Sequence, residues 1–330
     1  MNDILNSAWE LARSLQGQFK TLPSPVQDCT DRVVIVTGAN SGLGREAARH
    51  FVRLNASRVI LACRDVGKGE AAKRDIELST QRNDVVEVWP LDLSSFDSVK
   101  EFAARCRSLG RLDILLNNAS VLNLDAQFSE GHERMVTVNV LSTLLLTLLL
   151  LPILRKTSNA YNVVPHVVIV SSGVAFMALL PQRHSQDIFD ELKNPRSMSD
   201  RYGATKLLQL MMMQRLAGAV DASAKGHVRV NSCNPGLCQT ALFRAMYFPV
   251  NLVTGLALQV VGRTSEVGSR TLMTAAFGGE ETHGRFMSNC ELDRWPELMK
   301  AKAGETLTGR VWNELMRLME EIQPGVTDNI

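Results

Sequence analysis

Three runs of unbroken apolar character, V-V-I-V-T, V-I-L-A-C and V-V-I-V-S, recur along the chain with helical stretches between them. A strand that is apolar at every position is covered on both faces, and strands of this kind alternating with helices build a parallel, doubly wound α/β sheet. Seven such strands are expected, at 32–37, 58–63, 85–91, 112–116, 166–171, 227–232 and 285–288. Right-handed crossovers then place ligands at the carboxyl ends of the strands, where the strand order reverses.

At 330 residues and 45% hydrophobic content, the chain can bury one large core. We divide it into a helical extension and linker over 1–30, which includes T-L-P-S-P-V, and a single domain over 31–330. Two stretches fall outside the alternation, near 173–200 and 241–262; both follow strand ends, so both are expected to wall a substrate pocket. Phe176, Met177, Leu179 and Leu180 make the first apolar, and Arg183 and His184 are its candidates for recognising a polar group.

Ile4, Leu5, Ala8, Leu11, Ala12 and Leu15 fall on one helical stripe, with Trp9 at its edge. This reads as an extra helix docked on the body, with peripheral membrane contact as the alternative. The N-terminus lacks the basic start, apolar run and cleavage site of a secretory signal. The very apolar stretch 144–154 is too short to span a bilayer and is interrupted at Pro152, so a buried helix is expected. Cysteines at 29, 63, 106, 233, 238 and 290 form no C-x-x-C pair and read as reduced intracellular thiols, with no metal implied. A cytoplasmic location follows, with membrane association as the alternative. With 36 basic residues against 34 acidic, and no basic run interleaved with aromatics, nucleic acid is not an expected partner.

The first apolar run ends in T-G-A-N-S-G-L-G, followed by the helical R-E-A-A-R-H-F. A glycine-rich turn between strand and helix lets backbone N–H groups approach a pyrophosphate, which the helix N-terminus favours. Gly38, Gly42 and Gly44 supply the turn, with a G-x-x-x-G-x-G spacing. Farther on, Tyr202 and Lys206 stand four apart in R-Y-G-A-T-K and share a helix face, so the ammonium can lie beside the phenol and lower its pKa.

At these residues the sequence resembles the short-chain dehydrogenase/reductase family over about residues 31–290. T-G-x-x-x-G-x-G, D-L at Asp92, N-N-A at 117–119, Asn139, V-S-S ending at Ser172, Y-x-x-x-K, and P-G at Pro235 and Gly236 stand in the family's order. A-C-R-D-x-x-K-G-E and the later S-N-C-E are most similar to the retinol-dehydrogenase-like branch, closest to fungal members, many of which sit in secondary-metabolite pathways. The resemblance implies a single Rossmann-type sheet of about seven strands flanked by helices.

It also implies a nicotinamide cofactor, held by Gly38, Asn40, Ser41, Gly42, Leu43 and Gly44 of the turn, by Asp92 near adenine and by Asn118. Pro235, Gly236 and Thr240 would hold the carboxamide. The family usually has Gly after N-N-A, but this chain has Ser120, which would be strained if the backbone there needed a positive φ. The second strand ends A-C-R-D, with a thiol where an acid usually bonds the ribose, so Arg64 points to NADP(H). The alternative makes Asp65 the ribose ligand.

For the chemistry, the resemblance assigns Tyr202 as acid/base, Ser172 rather than Ser171 as the second donor, Lys206 as the ribose-holding cation, and Asn139 as support for a water linking Lys206 to solvent. Helices around 135–151 and 202–219, with Met211, Met212 and Met213, carry excess apolar surface; in relatives such helices often form a dimer contact, and a homodimer is expected, with burial against the sheet of a monomer as the alternative. The leading function is NADP-dependent interconversion of a ketone or aldehyde and an alcohol in a bulky apolar small molecule such as a polyketide-type metabolite. Retinoid or lipid alcohol oxidation and a non-catalytic NADP-binding sensor are the alternatives. A hydrolase is disfavoured because no G-x-S-x-G elbow is present.

Overall fold

Every apolar run becomes a strand. β1 is Val33–Thr37, β2 Arg58–Cys63, β3 Val86–Pro90 and β4 Ile114–Asn117. β5 (Phe128–Ser129) and β6 (His132–Glu133) pair in a small separate hairpin. β7 is His166–Val170, β8 Arg229–Asn234, β9 Phe286–Ser288 and β10 Glu291–Leu292. The computed structural model describes Arg13, residues 15–240 and residues 261–330.

The main sheet runs β3-β2-β1-β4-β7-β8-β9-β10 and is parallel except for its last pair. Among the described residues it therefore has eight strands where about seven were expected, the addition being the two-residue antiparallel edge β10. Val34 pairs with Val59 of β2 on one side and Ile114 of β4 on the other. The strand order reverses between β1 and β4, and a crevice opens there at the carboxyl ends.

Helices α1 (Gly42–Arg53), α2 (Val66–Thr80), α3 (Phe96–Cys106), α4 (Ser142–Tyr161), α5 (Met198–Asp221), α6 (Ser265–Ala276) and α7 (Ala301–Ile322) cover the sheet. Alternate strand residues point to opposite faces. Val34 and Val36 enter a core with Ala47, Phe51 and Leu272 of α1 and α6, whereas Ile35 enters the core that holds Leu145 of α4 and Leu208 of α5. Asp65, Ser95 and Thr264 cap α2, α3 and α6 by accepting from backbone N–H groups.

A single turn at Arg134–Val136 and a π-helical segment at Thr137–Leu141 lead into α4. Pro152 does not interrupt this helix as the sequence suggested; α4 runs through it to Tyr161. Packing on both sides offsets the backbone bond that proline removes: Leu148, Leu151 and Leu154 are fully buried. Among the described residues the helix 134–161 is long and apolar enough to cross a membrane, yet 83% of its apolar window is buried inside the protein.

Of the N-terminal extension, Ile4, Leu5, Ala8, Trp9, Leu11 and Ala12 lie outside the described residues, as do 241–260 of the second expected pocket wall. The part that is described docks on the body. Gln18 accepts from the backbone N–H of Leu237 at 3.0 Å, and buried Arg263 donates to the carbonyls of Gln18 and Pro235 at 3.3 and 3.2 Å.

Candidate active site

The crevice between β1 and β4 is a cleft of about 1200 Å³. Its floor at the β1 end is a turn with Gly38 at φ +65° and Gly42 at φ +58°, backbone that residues with a Cβ rarely adopt. At Gly44 close approach matters instead: an added Cβ would stand 2.6 Å from the Gly38 carbonyl oxygen and 2.5 Å from Asn118 Nδ2. Asn118 locks this turn by donating to the carbonyls of Thr37 and Gly38 at 2.9 and 3.3 Å. Thr37 Oγ1 accepts in return from the backbone N–H groups of Asn118 and Ala119, both at 3.0 Å. The Ser41 side chain does not cap α1, so the N–H groups of its first turn keep their donors for a ligand's oxygens.

Arg64, exposed, and Lys68 line the cleft beyond the end of β2. Asp65 is taken up locally: its carboxylate accepts from the Lys68 backbone N–H at 3.0 Å and pairs with Lys68 Nζ at 2.9 Å. These bonds hold its pKa below the usual range. Cys63 is buried, and its thiol is pushed up to about 11 by burial. Asp92 lines the same end and accepts from Ser94 through backbone and hydroxyl at 2.9 and 2.6 Å, while the adjacent cap on α3 is made by Ser95.

At the other end Ser172, Tyr202 and Lys206 converge on the cleft. Ser171 does not take part: its hydroxyl is buried and donates to the Lys206 carbonyl at 2.9 Å, whereas half-buried Ser172 faces the cleft. Lys206 Nζ lies 5.6 Å from the Tyr202 ring centroid and donates to the Val170 carbonyl at 2.9 Å and to Gln209 Oε1 at 3.1 Å. Burial brings its pKa down to about 7. The Tyr202 phenol is raised by burial, the reverse of the lowering expected from a neighbouring lysine, and the opposing influence is a hydrogen bond with Ser120. The protein's own groups thus favour the protonated phenol and weaken the hold of Lys206 on its proton.

Asn139 is buried and does not line the cleft. Its Oδ1 accepts from Ser120 Oγ at 3.0 Å and the Val121 N–H at 2.9 Å, and its Nδ2 donates to the Val121 carbonyl and Thr205 Oγ1. The connection from Asn139 to Lys206 runs through Gln209, whose Nε2 donates to the Asn139 carbonyl at 2.6 Å. Sequence reasoning missed Gln209, although its position three residues beyond Lys206 puts both on one helix face. The strain feared at Ser120 is absent, since its φ is not among the positive values.

Gly38, Asn40, Ser41, Gly42, Leu43, Arg64, Asp92, Asn118, Ser172, Tyr202, Lys206, Pro235, Gly236 and Thr240 all line the cleft; Gly44 and Asn139 support it from behind. Arg183 and His184 do not line it, because Arg183 turns back to the carbonyls of Leu179 and Leu180 and His184 is exposed. Gly173, Val174, Met177 and Ala178 of that stretch do form a wall.

A short chain dehydrogenase family model matches residues 32–182. A short chain dehydrogenase/reductase of Cryptosporiopsis sp. is 40% identical over 319 residues, covering 94% of this chain and 97% of that protein. A short chain dehydrogenase of Emericella nidulans is 43% identical over 282 residues, covering 84% and 90%. Among solved structures, an uncharacterized protein from Mycobacterium paratuberculosis superposes with a TM-score of 0.65 at 26% identity, covering 89% of this chain and 96% of that one. A short chain dehydrogenase from Shigella flexneri complexed with NADP gives 0.55 at 26% identity, covering 80% and 99%.

Proposed function

The chain belongs to the short-chain dehydrogenase/reductase family, and from that premise we propose that it is an NADP-dependent oxidoreductase that interconverts a ketone or aldehyde and an alcohol in a bulky apolar molecule such as a polyketide-type metabolite. The observation that carries this reading is the convergence of Ser172, Tyr202 and Lys206 on one end of a cleft whose other end offers the Gly38–Gly44 turn and Arg64.

A dinucleotide fits these residues. The missing Cβ at Gly44 lets the turn close on Asn118, and the uncapped first turn of α1 suits a pyrophosphate. Arg64 and Lys68 supply positive charge for a 2′-phosphate, and the engagement of Asp65 with its own helix speaks against its serving as a ribose ligand. The reduced cofactor, when bound, supplies the hydride. In the reducing direction Ser172 and Tyr202 would both donate to the substrate oxygen, and Tyr202 would pass its proton there as charge develops. Lys206, held by Val170 and Gln209, would then stand ready to return a proton or to steady the phenolate. The fungal relatives and the apolar residues Val121, Leu122, Met177 and Met198 in the cleft support a bulky apolar substrate.

NADPH oxidation with a panel of bulky ketones, comparing the parent with Tyr202→Phe, tests the reading. Binding of NADPH should persist and turnover should be lost; equal rates in the two proteins would remove Tyr202 from the proton-donating role.

A further inference from the structure

Among the polar groups of the cleft is a guanidinium that the reduction of a carbonyl does not use. Val121, Leu122, Val138, Met177 and Met198 make an apolar wall, and half-buried Arg134 interrupts it. Arg134 and Val138 stand four residues apart where the chain winds from the single turn into the π-helical segment, both on the side that lines the cleft. Asn139, which holds the loop carrying Ser120, follows directly. At about 1.5 Å per helical residue, the Arg134 backbone stands roughly 7 Å from Asn139 along this segment, before its own side chain extends.

Among the described residues the Arg134 guanidinium has one side-chain partner, the neutral Oε1 of Gln127 at 2.7 Å. Neighbouring carboxylates are occupied elsewhere. Asp200, which also lines the cleft, accepts from the backbone N–H groups of Leu179 and Leu180 at 3.0 and 2.8 Å. Buried Glu133 accepts from the N–H groups of Met135 and Val136 and faces Arg201 at 3.6 Å; Glu130 accepts from the Phe96 N–H at 2.9 Å. Asp125 is engaged with a partner of its own. A guanidinium carries five donors in a planar fork, and one neutral acceptor leaves most of them without a partner among the described residues, on a side chain that lines the cleft. Such a fork matches a carboxylate in two-point contact, and its attraction strengthens as an apolar ligand excludes water.

We infer that Arg134 is the anion-recognition residue of the substrate site, so that the natural substrate carries a carboxylate or an ionised acidic hydroxyl on an apolar frame, remote from its reacting carbonyl. The inference rests on the proposed oxidoreductase reading for the reacting end alone. Anion recognition at Arg134 is a separate property of the cleft.

Calorimetric titration of the full chain saturated with NADP+ tests it with two probes of one shape, 2-naphthoate and neutral 2-naphthamide. The parent should bind the naphthoate at least tenfold more tightly, the scale of one charge-assisted hydrogen bond. Arg134→Met should bring the naphthoate to the level of the amide while leaving the amide's affinity in place, which also reports that the variant is folded. Arg134→Lys should restore part of the preference, and Arg107→Ala, at an exposed arginine outside the cleft, should leave it intact. Equal affinities in the parent, no detectable naphthoate binding, a preference that survives Arg134→Met, or one that disappears in Arg107→Ala would each overturn the assignment. NADP+ binding measured on the same samples is a separate readout: its absence would count against the proposed function, and the naphthoate comparison can still be made without it.

Discussion

Replacing Arg64 by alanine should change which nicotinamide cofactor the protein prefers. Arg64 and Lys68 are the basic residues beyond the end of β2 that line the cleft, and they do not stand in equal positions. Lys68 Nζ is paired with Asp65 at 2.9 Å, whereas exposed Arg64 forms no ion pair among the described residues. A hydrogen bond to a charged partner is worth about 1.5–3 kcal/mol, or roughly ten- to a hundredfold in Kd. Because Arg64 is exposed, salt screening places the loss at the lower end, about tenfold for NADPH near 0.1 M ionic strength. NADH lacks the 2′-phosphate and should change by less than about threefold, within the spread of surface substitutions. Lys68→Ala should act in the same direction but more weakly, and Asp65→Asn should tighten NADPH by freeing Lys68. Titrations followed by nucleotide fluorescence at two salt concentrations measure all of this. Equal losses for both cofactors in Arg64→Ala, or an unchanged preference, would refute the assignment and place the phosphate contact elsewhere.

Ser120→Ala removes the group that opposes the upward push of burial on Tyr202. The apparent pKa governing alcohol oxidation should rise, with NADP+ binding unchanged and Ser120→Thr close to the parent; a pH profile that does not move removes Ser120 from the role. Stability should also report on buried bases. His166, 5% exposed, is lowered by burial to about 4, below the 6.5 of an unfolded histidine, so the unfolded chain binds more protons between those values and stability falls as pH drops through that window. The gap corresponds to about 3 kcal/mol; thermal melts of the parent between pH 7 and 4 should show the decline, and His166→Gln should flatten it. Lys206 acts in the alkaline window by the same logic: its folded value of about 7 lies below 10.5, so its burial penalty should fade as pH rises between them.

The sheet was legible in the sequence because its strands are covered on both faces and so read as unbroken apolar runs, and the cofactor turn because glycine is required there for reasons no other residue meets. The partners of the site residues were less legible. Arg183 lies in an expected pocket wall and Arg134 does not, yet the fold shows that the first bonds back to the carbonyls of its own loop while the second lines the cleft. The helix spacing of Tyr202 and Lys206 correctly placed them together, yet it carried no information on desolvation, which here dominates both groups. Pro152 was misjudged for a related reason: a local rule about proline gave way to tertiary packing along α4.

Packing also settles what the apolar helices are for. Met211, Met212 and Met213 suggested a subunit contact because a helix apolar on every side needs more cover than a sheet face provides. That cover comes from the chain itself. α7 lies against α5, with Val311, Leu315 and Met319 in the same core as the three methionines, all fully buried. Arg215 of α5 ties the pair at their edge by donating to the Glu305 carbonyl at 3.0 Å, and the short turn Val326–Asn329 packs on α4. The apolar surface of the three methionines is thus covered within one chain.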